Sequence, residues 1–393
     1  MTAPEAAALA GQSTPAPVAP GWSLLAAESR TGRVVARLPL AGQQWATGLT
    51  FGSGTTYEPE VRLDGPPRAD GRSVTQLVRD LCAQGPRVML VGIYGRLPVT
   101  YGFITAPAPS PTGVRIGTLD LAGLLRRRSI ITPGQRANPS AAAADTTLGP
   151  TSKPNLARLL LLQALGETDG GLPVDVSTVA TAGTHARTYQ GFRFTSYGDA
   201  LADLADDEDG PDIRVTPTLS ADQRWVRLRV DLGEPYLGRW GAHHWECPGS
   251  CLGIVPDYDY SQMGAWHYVP GDGTDYGKPV GVAYSGALLA AGVPLMDRVD
   301  ATRSQLGDLG QLAAYARANA ADLEGGLEAL TLTVSAGGGP ALGSYAPGDD
   351  CTVRTSGHWW LGNGLHRRRI VAIAGDHTEQ VTITTAPVPE GVQ

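Results

Sequence analysis

Hydrophobic and polar positions alternate in short runs over the first part of the chain. Trp22 to Leu25 and Val34 to Leu40 predict two strands, with a turn at Thr31-Gly32 between them. Trp45 to Phe51 carries a broken alternation and runs into the turn Gly52-Ser53-Gly54. Val74, Leu77, Val78 and Leu81 fall on one face of a helix, and Ser73 stands where an N-cap is expected. Arg87 to Tyr94 is a nearly continuous apolar run, suited to a buried strand. Val99 to Thr105 and Val114 to Leu121 follow as strands between Pro/Gly turns. So many short strands within roughly 100 residues predict a small barrel or sandwich.

The pattern then changes. Leu119 to Ile131 is apolar in its first half and basic in its second, and residues 132–155 show no period. Leu156, Leu159, Leu160 and Ala164 make one helical face, widened by Leu161 and Leu162, so this helix is expected to be buried on most sides. Tyr197 to Asp206 reads as a second helix, with Ser196 as cap and Gly210-Pro211 as stop. Ile213 to Thr218 and Trp225 to Leu232 read as strands. In the second, Val226, Leu228, Val230 and Leu232 face the core and Trp225, Arg227, Arg229 and Asp231 face away. Leu306, Leu309, Ala313, Ala316, Ala320 and Leu323 give the longest helical period, stopped by Gly325-Gly326. Leu330 to Ser335, Cys351 to Arg354, Arg367 to Ala374 and Gln380 to Thr385 predict a C-terminal antiparallel set.

These elements divide the chain into a flexible arm (1–20), an N-terminal β-barrel domain (21–131), a linker or long loop (132–155), an α/β middle domain (156–212) and a second β-barrel domain (213–388). The last holds an aromatic-rich loop region (236–296) and a long helix (300–324). The expected fold class is mainly β with an α+β insert: two small β-barrel or sandwich domains with helical segments between and beside them.

Composition narrows the class. Gly (51) and Pro (30) make up about a fifth of the 393 residues, against an average of about 12%. Hydrophobic residues still reach 42%, so a core can form, and a disordered chain, a collagen or a coiled coil is excluded. Basic residues number 31 against 38 acidic, a net charge of −7, which argues against specific nucleic-acid binding. The acidic run Asp203, Asp206, Asp207, Glu208 and Asp209 reads as a solvated helix end. No basic residue precedes Arg30, so a charged signal-peptide start is missing. The longest apolar stretch, Leu156 to Leu165, contains Arg158 and is far shorter than the ~20 residues of a membrane span. Folding in a cytoplasm, with no membrane span, is expected.

Candidate chemistry is sparse. His243, His244, Cys247 and Cys251 could bind a metal, form a local disulfide, or sit in a surface loop with free thiols, the last being the expected state. His267 could add a ligand. Cys82 sits in an apolar helical pattern and reads as core. The Asp-rich stretches 257–260 and 272–275 lack calcium-loop spacing and read as turns. Gly92 to Gly95 lacks the third glycine of a dinucleotide fingerprint, and no P-loop, nucleophile elbow or His-Glu-x-x-His occurs. No catalytic residue and no cofactor is assigned, and no enzyme is expected. The triplets Arg126-Arg127-Arg128 and Arg367-Arg368-Arg369 could bind phosphate or acidic partners, but read as solvated or inter-subunit salt bridges flanking strands and helices, with a subunit interface as the preferred functional reading. Trp240, Trp245 and Trp266 belong to an aromatic cluster, with Tyr258, Tyr260, Tyr268 and Tyr276. It suits an interface, a core satellite or a sugar platform.

The order of pieces resembles a known family. Leu119-Asp-Leu-Ala-Gly-Leu-Leu-Arg-Arg-Arg-Ser-Ile is similar to the stretch that follows the first barrel in tail-hub (baseplate-hub-like) minor tail proteins of long-tailed actinobacterial phages. Tyr197-Gly-Asp-Ala-Leu-Ala-Asp-Leu-Ala, Leu342-Gly-Ser-Tyr-Ala-Pro-Gly-Asp-Asp-Cys-Thr-Val and Arg369-Ile-Val-Ala-Ile resemble later parts of the same pattern, over residues 20–388. The resemblance implies a homo-oligomer, a trimeric ring at the tail tip with two related barrels per chain. Its partners would be the distal tail protein, the tape-measure protein and other minor tail proteins. DNA would pass through its lumen. The alternative is a carbohydrate-binding module or receptor-binding tail protein using the aromatic segment 236–280.

Overall fold

A computed structural model describes residues 21–52, 55–64, 71–166, 170–207, 209–261, 263–304, 306–323 and 327–388. The expected arm 1–20, the Ser53-Gly54 part of a turn and the Gly325-Gly326 stop lie outside them. The N-terminal set comprises β1 (Trp22–Glu28), β2 (Val34–Leu38), β3 (Leu40–Gly48), β4 (Thr56–Arg62), helix α1 (Val74–Ala83), β5 (Val88–Tyr94), β6 (Leu97–Pro109) and β7 (Gly113–Leu119). The middle holds α2 (Leu121–Leu125), β8 (Thr146–Thr151), α3 (Lys153–Gly166), β9 (Val174–Val176), β10 (His185–Tyr189), α4 (Tyr197–Ala205), β11 (Ile213–Leu219) and β12 (Val226–Leu232). Then come β13 (His243–Cys247), β14 (Cys251–Asp259), β15 (Trp266–Pro270), β16 (Val280–Tyr284), α5 (Gly286–Ala290), β17 (Asp297–Val299) and α6 (Leu309–Leu323). The chain ends in β18 (Leu327–Ser335), β19 (Asp350–His358), β20 (Gly362–Asp376) and β21 (Gln380–Pro387).

The architecture is mainly β, and the two predicted β regions share one 13-stranded sheet. Its N-terminal part runs β3-β4-β7-β6-β5-β1-β2. The end strands of that order, β2 and β3, are separated in sequence only by Pro39, so the sheet bends round toward a barrel. Its C-terminal part runs β14-β18-β21-β20-β19-β13, and here the end strands are tied by a Cys247–Cys251 disulfide. Neither part closes through a ladder among the described residues. Strand β20 fuses the two: its N-terminal half pairs with β19, while Ala372 to Asp376 pair with Gly48 to Gln44 of β3.

Burial explains these elements. β4 alternates strictly, with Tyr57, Pro59 and Val61 inward and Thr56, Glu58, Glu60 and Arg62 outward. The apolar face of α1 (Val74, Leu77, Val78, Leu81) joins a core built from both barrel-like parts, including Trp45, Tyr57, Trp245, Leu332 and Ile370. Ser73 caps that helix in a reciprocal pair with Gln76. β1 and β5 are covered on both sides. Leu24 and Leu90 enter that first core, while Leu25, Met89 and Val91 enter a second with Leu156, Leu160, Leu161, Leu201 and Leu228. Two-sided burial is why the 88–94 run shows no alternation.

The middle region differs from its sequence reading in detail. The 132–155 stretch contains β8, which pairs with β10 in a two-stranded ribbon. Its Thr-Thr-Leu-Gly-Pro-Thr sequence gave no apolar period because the ribbon is largely exposed. The aromatic-rich region 236–296, expected as loop, carries four strands, β13 to β16, and the short helix α5. The long helix begins at Leu309, after a single 3-10 turn at Ala301–Arg303. Strands β17, β15 and β16 form a small sheet whose inner face packs on α6 through Val269, Leu312, Tyr315 and Ala316.

Candidate functional site

β13 has the period of a strand: His243, Trp245 and Cys247 point inward, and His244 and Glu246 outward. The two histidines are therefore on opposite faces. His243 Nε2 lies 3.0 Å from Asp349 Oδ2, and the Arg239 guanidinium donates to the same oxygen at 2.9 Å. The Arg239 and Ala346 backbone N–H groups also donate to this carboxylate. Burial alone would raise the Asp349 carboxyl, but the bonds from Arg239 and His243 outweigh it and hold the group below the usual carboxylate range. Cys247 and Cys251 are bonded to each other, which corrects the expectation of free thiols and removes both sulfurs as metal ligands. Among the described residues no group of three or more His, Cys, Asp or Glu side chains is placed to hold a metal ion. His267 is buried in β15 and hydrogen-bonds the Gly264 carbonyl through Nε2 at 2.9 Å. The other two cysteines are unpaired; Cys351 is buried, and burial pushes its thiol up to about 12.

The arginine triplets mostly serve the chain's own interior. Arg126 bonds the Gly52 carbonyl at 2.7 Å and Asp199 at 3.2 Å. Arg128 closes the C-terminal end of α3 by donating to the carbonyls of Ala164 (2.9 Å) and Gly170 (2.8 Å). Arg127 is exposed. Arg367 pairs with buried Asp350 at 2.7 Å, and Arg368 pairs with Glu328. Arg369 is buried, pairs with Asp212 and lies over the Tyr236 ring. Of the six, Arg127 is the one most free to meet another molecule.

The aromatic residues separate into three settings. Trp245 is fully buried, edge-on to Tyr345 at 5.3 Å, so it is core and neither platform nor interface. Its place on the inward register of β13 decides this. Trp240 is half exposed. Trp266 lies on the outer face of the small sheet, against Tyr284 (4.5 Å) and beside Tyr268. Sequence reading missed a further group. Trp359 and Trp360 occupy the turn between β19 and β20, 86% and 57% exposed, and Trp360 lies 6.1 Å from Tyr258. The adjacent Trp-Trp before Leu-Gly-Asn-Gly was the available signal.

A cleft of about 730 Å³ opens between α4 and the 302–315 segment, lined by Arg187, Asp203, Arg303 and Tyr315 among others. Arg303 bridges Asp203 and Asp206. Burial pushes the Asp203 carboxyl up, against the pull of Arg303. Asp207 is buried and pairs with Arg187 at 2.9 Å and Lys153 at 3.2 Å. Asp203, Asp206 and Asp207 are thus ion-paired, where a solvated helix end was expected from sequence; Asp209 is exposed, and Glu208 lies outside the described residues.

Two solved structures share this arrangement across nearly their whole length. The 43 kDa tail protein of prophage MuSo2 from Shewanella oneidensis superposes with a TM-score of 0.57 at 11% identity, covering 94% of this chain and 97% of that one. The fold is that of phage tail proteins. A tail protein from Neisseria meningitidis MC58 gives a TM-score of 0.53 at 12% identity, over 95% of this chain and 98% of that one. No protein-family model and no curated protein matches the sequence. At such identities the likeness is one of fold, which in this chain is open barrels fused along one sheet with a helical layer on the strands β1 and β5.

Proposed function

We propose that the chain is a structural virion protein, the tail hub of a long-tailed actinobacterial phage, assembled in the host cytoplasm and placed at the tail tip. The observation that carries this reading is the end-to-end match to two tail proteins, which leaves little of either partner unaccounted for. The fused pair of open barrels supports it. Three copies would present six barrel units in a ring, the number needed to meet a sixfold tail tube. In that ring the chain joins the distal tail protein above, the tape-measure end inside and other minor tail proteins below. It opens when the tail engages a host, and DNA passes. The net charge of −7 suits a wall along which DNA slides without binding.

No chemistry is required of such a part, and its role is structural, not enzymatic. Native mass spectrometry of the purified chain tests the assembly. Three copies of the 41.0 kDa chain are expected in one particle. A monomer at every concentration, also in the presence of the distal tail and tape-measure proteins, contradicts the reading.

A further inference from the structure

We propose that the mouth of the C-terminal open barrel is a binding site for a neutral oligosaccharide, with Tyr258, Tyr260 and Trp360 as stacking surfaces and the Glu328–Arg368 pair and His366 as hydrogen-bonding groups. This goes beyond the tail-hub reading and does not depend on ring assembly.

The strand register puts these groups together. Along β18, Leu330, Leu332 and Val334 are buried in the core, and Glu328 continues the same face toward the end of the strand. Its partner across the ladder is Tyr258, just as Pro256 partners Leu330 and Ile254 partners Leu332. On the other side, Cys351 and Val353 point into the core and partner Arg368 and His366 of β20. The inner face thus changes along the barrel from an apolar interior to a polar and aromatic rim.

The rim carries hydrogen-bonding side chains. Arg368 pairs with Glu328, yet its Nε is buried with no partner. His366 Nε2 lies 3.0 Å from the Thr355 hydroxyl, and burial beside Arg368 lowers its proton affinity, favouring a neutral ring that can donate or accept. Above this rim, Tyr258 and Tyr260 stack within 13° of parallel at 6.3 Å, Trp360 meets Tyr258, and Trp359 stands edge-on to Trp360 at 5.3 Å.

A sugar ring has an apolar C–H face, which stacks on aromatics, and an equatorial belt of hydroxyls, which needs both donors and acceptors. The aromatic rings and the polar groups of the rim supply both. The charge pattern favours a neutral ligand. Glu328 and Arg368 cancel, so the paired rim carries no net charge. The turn is also preorganised. His358 Nδ1 accepts from the Trp360 and Leu361 N–H groups, and Asn363 accepts from Gly357.

The test is titration of the purified full-length chain with cellohexaose, chitohexaose, maltohexaose and mannohexaose, followed by tryptophan fluorescence and calorimetry. At least one sugar is expected to bind saturably. Trp360→Ala and Tyr258→Ala should each weaken it by about tenfold or more, the scale of a lost aromatic contact. Glu328→Gln should weaken it, and Trp266→Ala on the remote sheet should leave it unchanged. Trp359 is so exposed that Trp359→Ala should fold normally by circular dichroism, and its fluorescence change on binding should be smaller than that of the parent. The proposal is overturned if none of the four sugars binds. It is equally overturned if binding survives both aromatic substitutions. A change in oligomer mass on Trp360→Ala, without sugar binding, would assign the patch to a protein contact instead.

Discussion

Arg369 of β20 grips Asp212, the residue just before β11, and so locks the C-terminal half of the large sheet to the middle layer. Both Asp212 oxygens receive the guanidinium, which also donates to the Leu237 and Gly348 carbonyls. The pair is buried, so removing one partner strands the other charge in a low-dielectric setting. Asp212→Ala is therefore expected to destabilise the folded chain by about 3–5 kcal/mol. Chemical denaturation of the variant checks this, and a loss under about 1 kcal/mol would show the pair to be solvated.

The Asp349 carboxylate predicts a loss of stability in acid. Its folded proton affinity lies below the ordinary value of 3.8, so its contribution is complete above that value. The contribution disappears as pH falls through the lower folded value, because the unfolded chain then takes up the proton first. Asp349→Asn should cost about 2 kcal/mol at neutral pH, the scale of a hydrogen bond to a charged group. It should also flatten the acid limb of a stability–pH curve. An unchanged acid limb would contradict the assignment.

Gly281 sits where the backbone of β16 meets helix α6. A Cβ there would lie 2.0 Å from the Leu312 carbonyl oxygen, a contact no rotamer can relieve because both atoms are tied to backbone. Gly281→Ala is expected to lift α6 from its small sheet, at a cost of about 1–3 kcal/mol. Limited proteolysis should then cut within residues 286–323 while the 13-stranded sheet stays intact.

The Cys247–Cys251 bridge closes a very short loop, so its stabilising effect through the unfolded chain is only roughly 2 kcal/mol. Reduction, or the double change Cys247→Ser and Cys251→Ser, should lower the melting temperature slightly and leave the fold in place. Collapse of the C-terminal half on reduction would show that the seam between β13 and β14 depends on the bridge.

Much of the fold was legible where one face of an element is buried. The period of Val74 to Leu81, the cap at Ser73 and the strand at 226–232 follow from local sequence, and the structure has them there. β4 was missed because Glu58, Pro59 and Glu60 hide the alternation of Tyr57 and Val61. β13 and β14 were hidden by their His, Cys, Pro and Asp content; only the partner strands β19 and β18 make that segment extended. The pairing of β3 with β20 joins residues more than 300 apart and leaves no local trace. Site chemistry was less legible still. Residue type marked Trp245 and Arg369 for the surface, and long-range packing buried both. Trp359 and Trp360 reach solvent through a turn set by the β19–β20 register, which the sequence pattern alone did not reveal.

Cryo-electron microscopy of virions that encode this chain tests the central claim most directly. Three copies are expected in a closed ring at the tail tip, with the fused sheet of each copy contributing two barrel units to a sixfold-like wall around a lumen. A virion whose tail tip lacks the chain, or holds it as isolated copies outside the tube axis, would contradict it.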